Sequence, residues 1–340
     1  MSGLLCSVVV PTFGRPASLQ RALSSLAGQS ADHRSYETIV VVDGPDRESC
    51  RLLERWESEG RLANLSHHVI DRSGPAAARN FGCDRARSPV VVFLDDDMEA
   101  DARLVAAHQA HHRSGRRIAV LGDCPIALGE RPPMYRLRAW AWWEQKLHDR
   151  CEGSSLPRYT DFCTGNVSLR VEDFREVGGF DPDFRGYGLE DYELGWRLLD
   201  AGVGFVADRS ARADHHHNPS LWTTLVRHRA EGRAEVLLGS KHPILRPGLR
   251  LMSLPRGGSA WTYKLAFGAP AAGDVLAAAA MARLDAFEKL SKRRRWAQLY
   301  EDVRAYWFWR GVASALGSLE ELFRFQAAAP PPPTVKVDLA

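Results

Sequence analysis

Short apolar runs alternate with amphipathic stretches over the first third of the chain. Strands are predicted where a run is apolar throughout, at 6–11, 37–44, 65–70 and 90–94. Helices are predicted between them, at 16–29, 45–60 and 74–87. This alternation is typical of parallel strands joined by crossover helices. Helices then cover both faces of the sheet, which explains why the strands carry so few polar residues.

The rest of the chain has an irregular middle part and a helical C-terminal part. Further strands are predicted at 118–123, 164–170 and 203–208, and a helix at 188–202. The Trp-rich stretch "AWAWWEQ" at 139–145 is interpreted as either an acceptor platform, a lid or a packed core helix. Beyond about residue 218, helical patterns dominate at 221–239, 274–293 and 297–325. The segment 283–310 is both basic and aromatic, and we expect its aromatic side chains to pack rather than to lie on a membrane.

Composition excludes some classes of protein. The chain has 340 residues, 45% hydrophobic content and a net charge of only +3, which is ordinary for a globular protein and does not indicate a nucleic-acid partner. No signal-peptide pattern opens it, and the apolar run 275–282 is far shorter than the ~20 residues of a membrane span. We therefore expect a cytoplasmic protein. Its six scattered cysteines predict reduced thiols.

The strand at 90–94 runs directly into Asp95, Asp96 and Asp97. Unit charges 4 Å apart repel by about 1 kcal/mol in water and roughly 4 kcal/mol near a protein surface, so such a cluster requires solvent or a cation. Asp43 and the segment 11–15 also follow predicted strands, and ligands of open parallel sheets bind at these carboxyl ends. Oxygen ligands at such a crevice favour Mg²⁺ or Mn²⁺. The alternative, that Asp97 and Asp101 are caps of a following helix, explains one carboxylate of the cluster but not three.

Two later segments also carry candidate chemistry. Glu190 and Asp191 begin a predicted helix after the glycine-rich segment "FRGYG", although acidic residues are favoured at any helix N-terminus. If the segment 213–220 is extended, His215 and His217 share a face and could complete a metal site. A solvated polar turn is the alternative interpretation of these histidines.

Seven motifs in this order resemble glycosyltransferase family 2. They are "VVVPTFGRP", "VVVDGP", "GPAAARNFG", "VVFLDDDM", "FCTGNVSLRVEDFREVGGFDPDF", "GLEDYELGWRL" and the later His cluster. The resemblance implies the GT-A fold, an α/β class with a Rossmann-like mixed, mostly parallel sheet flanked by helices, here with a C-terminal helical extension. It also implies a catalytic domain at 1–218, with nucleotide-sugar binding in 1–123 and acceptor binding and catalysis in 124–218. A helical region at 219–326 and a Pro-rich flexible tail at 327–340 would follow.

The resemblance implies a role for each matching residue. The metal would be bound by Asp97, with His215 as the first candidate for a further ligand and His217 as the second. Asp191 would be the catalytic base, and Glu190 would help to hold substrate hydroxyls. The nucleotide sugar would contact Pro11, Thr12, Arg15, Asp43, Arg79, Asp95, Asp96, Gly165 and Asn166.

The implied activity is inverting transfer of a hexose from a nucleoside-diphosphate sugar, expected to be a UDP-sugar, with Mn²⁺ or Mg²⁺ as cofactor. The acceptor would be a carbohydrate, a lipid-linked molecule or a small molecule, and a homo-oligomer is compatible with the sequence. An inactive nucleotide-sugar-binding subunit and a nucleotidyltransferase are the alternatives. Two departures from the family pattern, Val42 and Gly14, lie in the nucleotide pocket and leave the base less defined than the fold.

Overall fold

The computed structural model describes residues 3–151, 157–185, 188–290 and 292–330. They form two compact units. The first contains the chain up to residue 185 together with 190–218, and the second contains 188–189 and the chain from 219 onward.

The first unit is an α/β structure. Its strands are β1 (Cys6–Thr12), β2 (Tyr36–Asp43), β3 (Leu65–Ile70), β4 (Val90–Leu94), β5 (Met98–Ala100), β6 (Ile118–Asp123), β7 (Asn166–Arg170) and β8 (Gly204–His215). Its helices are α1 (Pro16–Ala27), α2 (Arg47–Ser58), α3 (Pro75–Arg85), α4 (Leu104–His112), α5 (Met134–Cys151), α6 (Val171–Glu176) and α7 (Glu190–Asp200). A 3-10 turn occupies Tyr159–Asp161.

Within the described residues, eight strands form one sheet in the order β3-β2-β1-β4-β7-β6-β8-β5. The pairs β1–β2, β1–β4, β2–β3 and β6–β8 are parallel, whereas β7 is antiparallel to both of its neighbours and β5 is antiparallel to β8. The predicted fold, a mixed and mostly parallel sheet flanked by helices, is confirmed. The adjacent parallel strands β1, β2 and β4 end at the same edge of the sheet, where the acidic segment follows β4.

Burial explains why the apolar runs became central strands. Every residue of β1, β2 and β4 is buried, and the predicted stripe of α1, Leu19, Ala22, Leu23 and Leu26, is buried completely. On the opposite face of β1, helix α3 approaches very closely at Gly82. A Cβ atom on Gly82 would lie 2.3 Å from Cγ1 of Val9, so only glycine allows this packing.

Strand β8, the last strand along the chain, is longer than the sequence predicts. The pattern predicts a strand at 203–208, whereas β8 continues to His215. It does so because β5 pairs with its end, from Ala100 opposite Ala213 to Met98 opposite His215. A three-residue strand such as β5 leaves no periodic signal in a sequence.

The second unit is helical. It contains α8 (Leu221–Lys241), α9 (Trp261–Gly268), α10 (Pro270–Lys289), α11 (Arg293–Leu316) and α12 (Leu319–Ala327). Helices α8 and α11 cross at two glycines, since a Cβ atom on Gly232 would lie 2.1 Å from the carbonyl oxygen of Phe308 and one on Gly311 2.0 Å from that of Arg229. The predicted helix 297–325 is interrupted at Gly317, whose φ of 82° ends α11, and the side chain of Ser318 caps α12.

The basic and aromatic segment is part of the core of this helical unit. Six of its aromatic side chains are buried, namely Trp296, Tyr300, Tyr306, Trp307, Phe308 and Trp309, and Phe287 is partly buried. The expectation that they pack is therefore confirmed. No helix in the described part of the chain is both long enough and apolar enough to cross a bilayer. All six cysteines lie in described residues and are free thiols.

The contact at Gly82 gives a stability prediction. Gly82→Ala should lower the free energy of unfolding by about 1–3 kcal/mol, because the added methyl group overlaps the branched side chain of Val9 and the helix must move away. Urea unfolding followed by circular dichroism measures this change. Gly28→Ala is the matched control, since Gly28 is exposed, has a φ of −91° and would place Cβ 3.6 Å from its nearest neighbour. Equal stability of the two variants would contradict the close packing of α3.

Candidate active site

The three aspartates form the turn between β4 and β5. The backbone N–H of Asp95 donates to the carbonyl of Gly165, 3.1 Å away, and the N–H of Met98 donates to the carbonyl of Asp95. Because β5 follows this turn and α4 begins only at Leu104, with Arg103 as its N-cap, Asp97 caps no helix. The capping interpretation is therefore wrong for Asp97.

Asp96 connects the turn to the end of β1. Its side chain is 1% exposed and accepts a 2.7 Å hydrogen bond from the hydroxyl of Thr12, and Nη1 of Arg15 lies 3.4 Å from it. Burial raises the pKa of Asp96 to about 7, although Arg15 and Thr12 act in the opposite direction. Asp95, whose side chain is 31% exposed, is the more accessible carboxylate of the two.

Asp97 faces the histidine segment. Nε2 of His215 lies 3.3 Å from its Oδ1, Nδ1 of His217 lies 3.3 Å from its Oδ2, and Nη1 of Arg15 lies 2.8 Å from Oδ2. The two imidazole rings are stacked at 5.6 Å, whereas His216 turns away to contact Glu99. This is the arrangement expected for an extended segment.

The charges around Asp97 change its protonation. Burial alone would raise the pKa of Asp97, but the two imidazoles and Arg15 outweigh it and hold that pKa far below its usual value. Burial likewise opposes the charged form of His215, yet the adjacent carboxylate of Asp97 raises the pKa of that histidine. Both shifts favour an ion pair between Asp97 and His215.

These residues fit a divalent cation. Oδ1 of Asp97 is buried and has no hydrogen-bond partner among the described residues, and it faces the imidazole of His215. Such an oxygen beside an imidazole nitrogen is a suitable donor set for Mn²⁺ or Mg²⁺. In the described ranges no group of three or more His, Cys, Asp or Glu side chains is arranged as a complete metal site. Substrate oxygens would therefore have to supply further ligands.

Arg79 connects the aspartate turn to the acidic start of α7. It lies on α3, is 4% exposed, donates to Oδ1 of Asp95 at 2.6 Å and lies 3.8 Å from Oε1 of Glu190. Burial lowers the pKa of Arg79, but Asp95 and Glu190 outweigh this effect and raise it. Its Nε and Nη1 atoms are buried and have no hydrogen-bond partner in the described part of the chain.

Asp191 lies in the first turn of α7 beside Glu190. Its Oδ1 accepts the backbone N–H of Tyr192 at 2.8 Å. Burial, followed by repulsion from Glu190, raises the pKa of Asp191 well above its usual value. A carboxylate with a raised pKa binds a proton more strongly, which is a property of general bases.

The ends of β1 and β2 shape the neighbouring loops. Asp43 is buried and accepts the backbone N–H groups of Ser73 at 2.7 Å and Gly74 at 3.0 Å, so it fixes the loop that precedes α3. Gly14 has a φ of 67°, a conformation that Asn and Asp also tolerate, which accounts for the departure from the family pattern. Pro11 is buried near the end of β1.

Gly165 and Asn166 differ in what they contact. A Cβ atom on Gly165 would lie 2.7 Å from Cε of Met98 and 3.4 Å from Oδ2 of Asp95, so this glycine packs directly against the turn. Asn166 is 1% exposed. Its amide nitrogen donates to the carbonyls of Asp123 and Ala211, and its Oδ1 lies 2.9 Å from Nε2 of His108. The expected lining role of Asn166 is therefore not supported, because its side chain is used to hold β6, β8 and α4 together.

Lys146 is a residue that the sequence analysis missed. It lies on α5, and its Nζ donates to the carbonyl of Thr160 at 2.5 Å and lies 3.5 Å from Oδ1 of Asp161. Burial, followed by repulsion from Arg150, lowers the pKa of Lys146 to about 8, and Asp191 is among the charges that act on it. A lysine in an amphipathic helix carries no signal that separates it from a surface lysine, so only the structure shows this position.

The fold and the acidic turn after β4 define a GT-A protein. A solved structure with this fold is the mannosyltransferase PcManGT from Pyrobaculum calidifontis in complex with GDP-Man and Mn²⁺, with a TM-score of 0.60 and 20% identity over 89% of this chain and 86% of that one. Another is GalNAc-T7 with UDP, GalNAc and Mn²⁺, with a TM-score of 0.50 and 18% identity over 68% of this chain and 51% of that one. At these identities the likeness shows the fold alone.

The sequence comparisons define the family. The model for glycosyl transferase family 2 matches residues 7–178, and a model described as the N-terminal domain of galactosyltransferase matches 155–217. The chain therefore belongs to glycosyl transferase family 2, as its motifs predicted.

Two curated relatives illustrate the range of the family. Validoxylamine A glucosyltransferase of Streptomyces hygroscopicus subsp. limoneus is 30% identical over 77% of this chain, which spans 63% of that protein. Pre-mycofactocin glycosyltransferase of Mycobacterium tuberculosis is 28% identical over 70% of this chain and 48% of its own length.

The contacts of Asn166 give the second prediction. Asn166→Asp should lower the free energy of unfolding by about 2–4 kcal/mol, because a carboxylate cannot donate to the buried carbonyls of Asp123 and Ala211. Thermal unfolding measures the change. Asn218→Asp is the control, since exposed Asn218 only accepts from Nη1 of Arg136, which a carboxylate also does. A stable Asn166→Asp variant with impaired donor binding would instead restore the lining role.

Proposed function

We propose that the protein transfers a hexose from a nucleoside-diphosphate sugar, a UDP-sugar, to an acceptor hydroxyl with inversion at the anomeric carbon. The observation that carries this proposal is the buried Oδ1 of Asp97, which accepts no hydrogen bond from the described residues and faces the imidazole of His215. Arg79, which pairs with Asp95, also connects that turn to Glu190, the residue before Asp191. One relative is named a glucosyltransferase, and neighbouring structures contain GDP-Man or UDP together with Mn²⁺.

The donor would lie along the carboxyl ends of β1, β2 and β4. We assign the nucleoside end to Asp43 and to the segment around Pro11 and Thr12, since these residues lie at the carboxyl ends of the adjacent parallel strands β2 and β1. Asp95 is the accessible carboxylate for donor hydroxyls. The donor diphosphate is an anion, and the guanidinium groups of Arg15 and Arg79 supply positive charge beside the turn.

Asp97 and His215 would hold the divalent cation, with His217 as the second candidate imidazole. When bound, the cation would stabilise the negative charge that develops on the diphosphate leaving group. Without a bound cation, the guanidinium of Arg15 partly neutralises Asp97. The side chain of Arg15 is half exposed, so it can move away when a cation binds.

Asp191 would remove the proton from the acceptor hydroxyl. The acceptor oxygen then forms a bond to the anomeric carbon as the bond from that carbon to the diphosphate oxygen breaks, and the diphosphate leaves with the electron pair. Attack from the face opposite the leaving group inverts the anomeric centre and requires a single base. Glu190 raises the proton affinity of Asp191 by repulsion and lies next to Arg79.

Turnover of a donor panel tests the activity as a whole. We expect Mn²⁺-dependent release of nucleoside diphosphate from one donor among UDP-, GDP- and TDP-hexoses, and EDTA should abolish it. Release of UDP would support uracil as the nucleobase of the donor, whereas release of GDP would replace it with guanine. Binding without turnover of any donor, even with a panel of acceptors, would favour the inactive nucleotide-binding subunit. The cytoplasmic location remains a prediction from the sequence.

Removing the charge at position 97 should abolish metal-dependent donor binding. Asp97→Asn should weaken the Mn²⁺-dependent affinity for UDP by roughly tenfold or more, because the buried anionic oxygen is lost while the side-chain shape is kept. Titration calorimetry with and without Mn²⁺ gives the difference. Asp101→Asn is the matched control, since exposed Asp101 lies outside the turn and an amide oxygen can still accept the N–H of Arg103. Equal Mn²⁺ dependence in both variants would refute the metal assignment.

Replacing the proposed base should separate binding from transfer. Asp191→Asn should bind the donor normally but lose transfer by roughly 10²-fold or more, the usual contribution of a general base. Asp200→Asn, at the exposed far end of the same helix, should transfer at the wild-type rate. Rapid turnover by Asp191→Asn would assign the base to Glu190 or to another group.

The raised pKa of Asp191 sets the direction of the pH dependence. The groups that act on this carboxylate are Glu190 on the same helix, Arg79 of α3, Cys163 before β7 and Lys146 of α5. Because a base must be unprotonated, kcat/KM should rise with pH until the raised pKa is passed and then level off. The small residual activity of Asp191→Asn should lack this rise. An identical acidic limb in the variant would show that another group titrates.

A further inference from the structure

Helix α5 is fixed in place by one stripe of its side chains. Trp143 is 8% exposed and its Nε1 donates to Oδ1 of Asp123 at 3.3 Å. Leu147 is 1% exposed, and Arg150 is buried and donates to Oδ1 of Asp161 at 3.1 Å. Positions 143, 147 and 150 share one helical face, so this stripe determines the rotation of the helix.

The same rotation leaves Trp142 in solvent. Its side chain is 57% exposed, the largest exposed fraction of any tryptophan side chain in the described residues. Lys146, one helical turn later, lies with its Nζ 4.9 Å from the centre of the Trp142 ring and 5.6 Å from that of Tyr192. Tyr192 directly follows Asp191 in α7, and its ring makes an edge contact with Tyr159. A flat apolar ring thus lies beside a buried amine, and that amine also approaches the ring of the residue that follows the proposed base.

We propose that Trp142, Lys146 and Tyr192 form the acceptor site, and that its ligand is a neutral polyhydroxylated ring such as a monosaccharide. This inference rests on the proposed function. The apolar C–H face of the ring would stack on Trp142, and its hydroxyl edge would face Lys146 and Asp191.

The surroundings of Trp142 favour a small polar ring over the other acceptors. Ligand sites combine an apolar or aromatic surface with a few polar groups that fix orientation, and this surface does so. Gln145 is exposed on the same helix, and its amide nitrogen donates a hydrogen bond to Oδ1 of Asp149 at 2.7 Å. These two side chains add a polar border to the surface. A lipid chain or an apolar protein surface would remove water from the amine of Lys146 and from this border without offering them any polar contact in return. An amine-bearing acceptor would be repelled by the ammonium form of Lys146.

The burial of Lys146 adds to this assignment. The side chain is 14% exposed and already donates to the carbonyl of Thr160, so its position is fixed before an acceptor arrives. Burial lowers the pKa of Lys146 to about 8, so that its ammonium form predominates at neutral pH and can donate to a hydroxyl oxygen. A fixed donor beside a fixed ring loses little conformational entropy on binding.

Saturation-transfer NMR on the full chain, with UDP and Mg²⁺ present because paramagnetic Mn²⁺ would broaden the signals, tests the proposal. The probes are the methyl pyranosides of glucose, galactose and mannose together with myo-inositol. We expect magnetisation to pass from aromatic protein protons to the ring protons of at least one probe. Trp142→Ala should weaken the affinity for that probe about tenfold, and Trp142→Phe should recover most of it because a flat ring is restored.

Trp140→Ala is the matched control. Trp140 lies on the same helix with 39% exposure but two positions earlier, and therefore faces another direction, so its loss should leave sugar contact and transfer unchanged. The site assignment is overturned if no probe receives magnetisation in the wild-type protein, or if Trp142→Ala keeps full affinity, or if Trp140→Ala causes the same loss. Calorimetry of UDP and Mn²⁺ binding to the same protein variants tests the proposed function separately. Trp142 is not among the residues assigned to the metal or to the nucleotide, so these variants should bind both normally.

Discussion

The three carboxylates that follow β4 repel one another, and the arrangement of the first unit depends on offsetting this repulsion. Each aspartate receives its own donor from a different part of the chain. Arg79 of α3 pairs with Asp95, the hydroxyl of Thr12 binds Asp96, and the histidines at the end of β8 face Asp97. Since like charges at this spacing cost several kcal/mol near a surface, the turn is stable only if β1, α3 and β8 deliver these groups together. The packing of these elements therefore both forms the fold and stabilises the charged turn of the site.

Much of this arrangement could be predicted from the sequence because it follows from short-range patterns. Apolar runs gave the positions of β1, β2 and β4, and strand–helix alternation gave their parallel order, which places their carboxyl ends at one edge. The side-chain period of an extended chain was enough to place His215 and His217 on one face and His216 on the other. The glycine at position 14 could also be explained locally, by its positive φ.

Other features depend on contacts between distant segments and left no local signal. The three residues of β5 form a strand only because β8 lies beside them, and that pairing extends β8 to His215. Asn166 belongs to a family motif, yet its amide is enclosed by groups from β6, β8 and α4. Lys146 becomes distinctive only when α7 and the 3-10 turn at Tyr159–Asp161 surround it. In each case the role follows from the partner, and the partner lies tens of residues away.

The surroundings of Asp96 and Asp97 shift the pKa values of these two neighbouring carboxylates in opposite directions. Burial raises the pKa of Asp96 to about 7, whereas two imidazoles and an arginine hold the pKa of Asp97 far below its ordinary value. Asp96 can therefore share a proton with its surroundings and lower the total charge of the cluster, while Asp97 stays anionic. Environments that separate the pKa values of neighbouring acids also separate their tasks. In the proposed mechanism Asp97 would therefore be the carboxylate that binds the cation, whereas Asp96 holds β1 to the turn through Thr12.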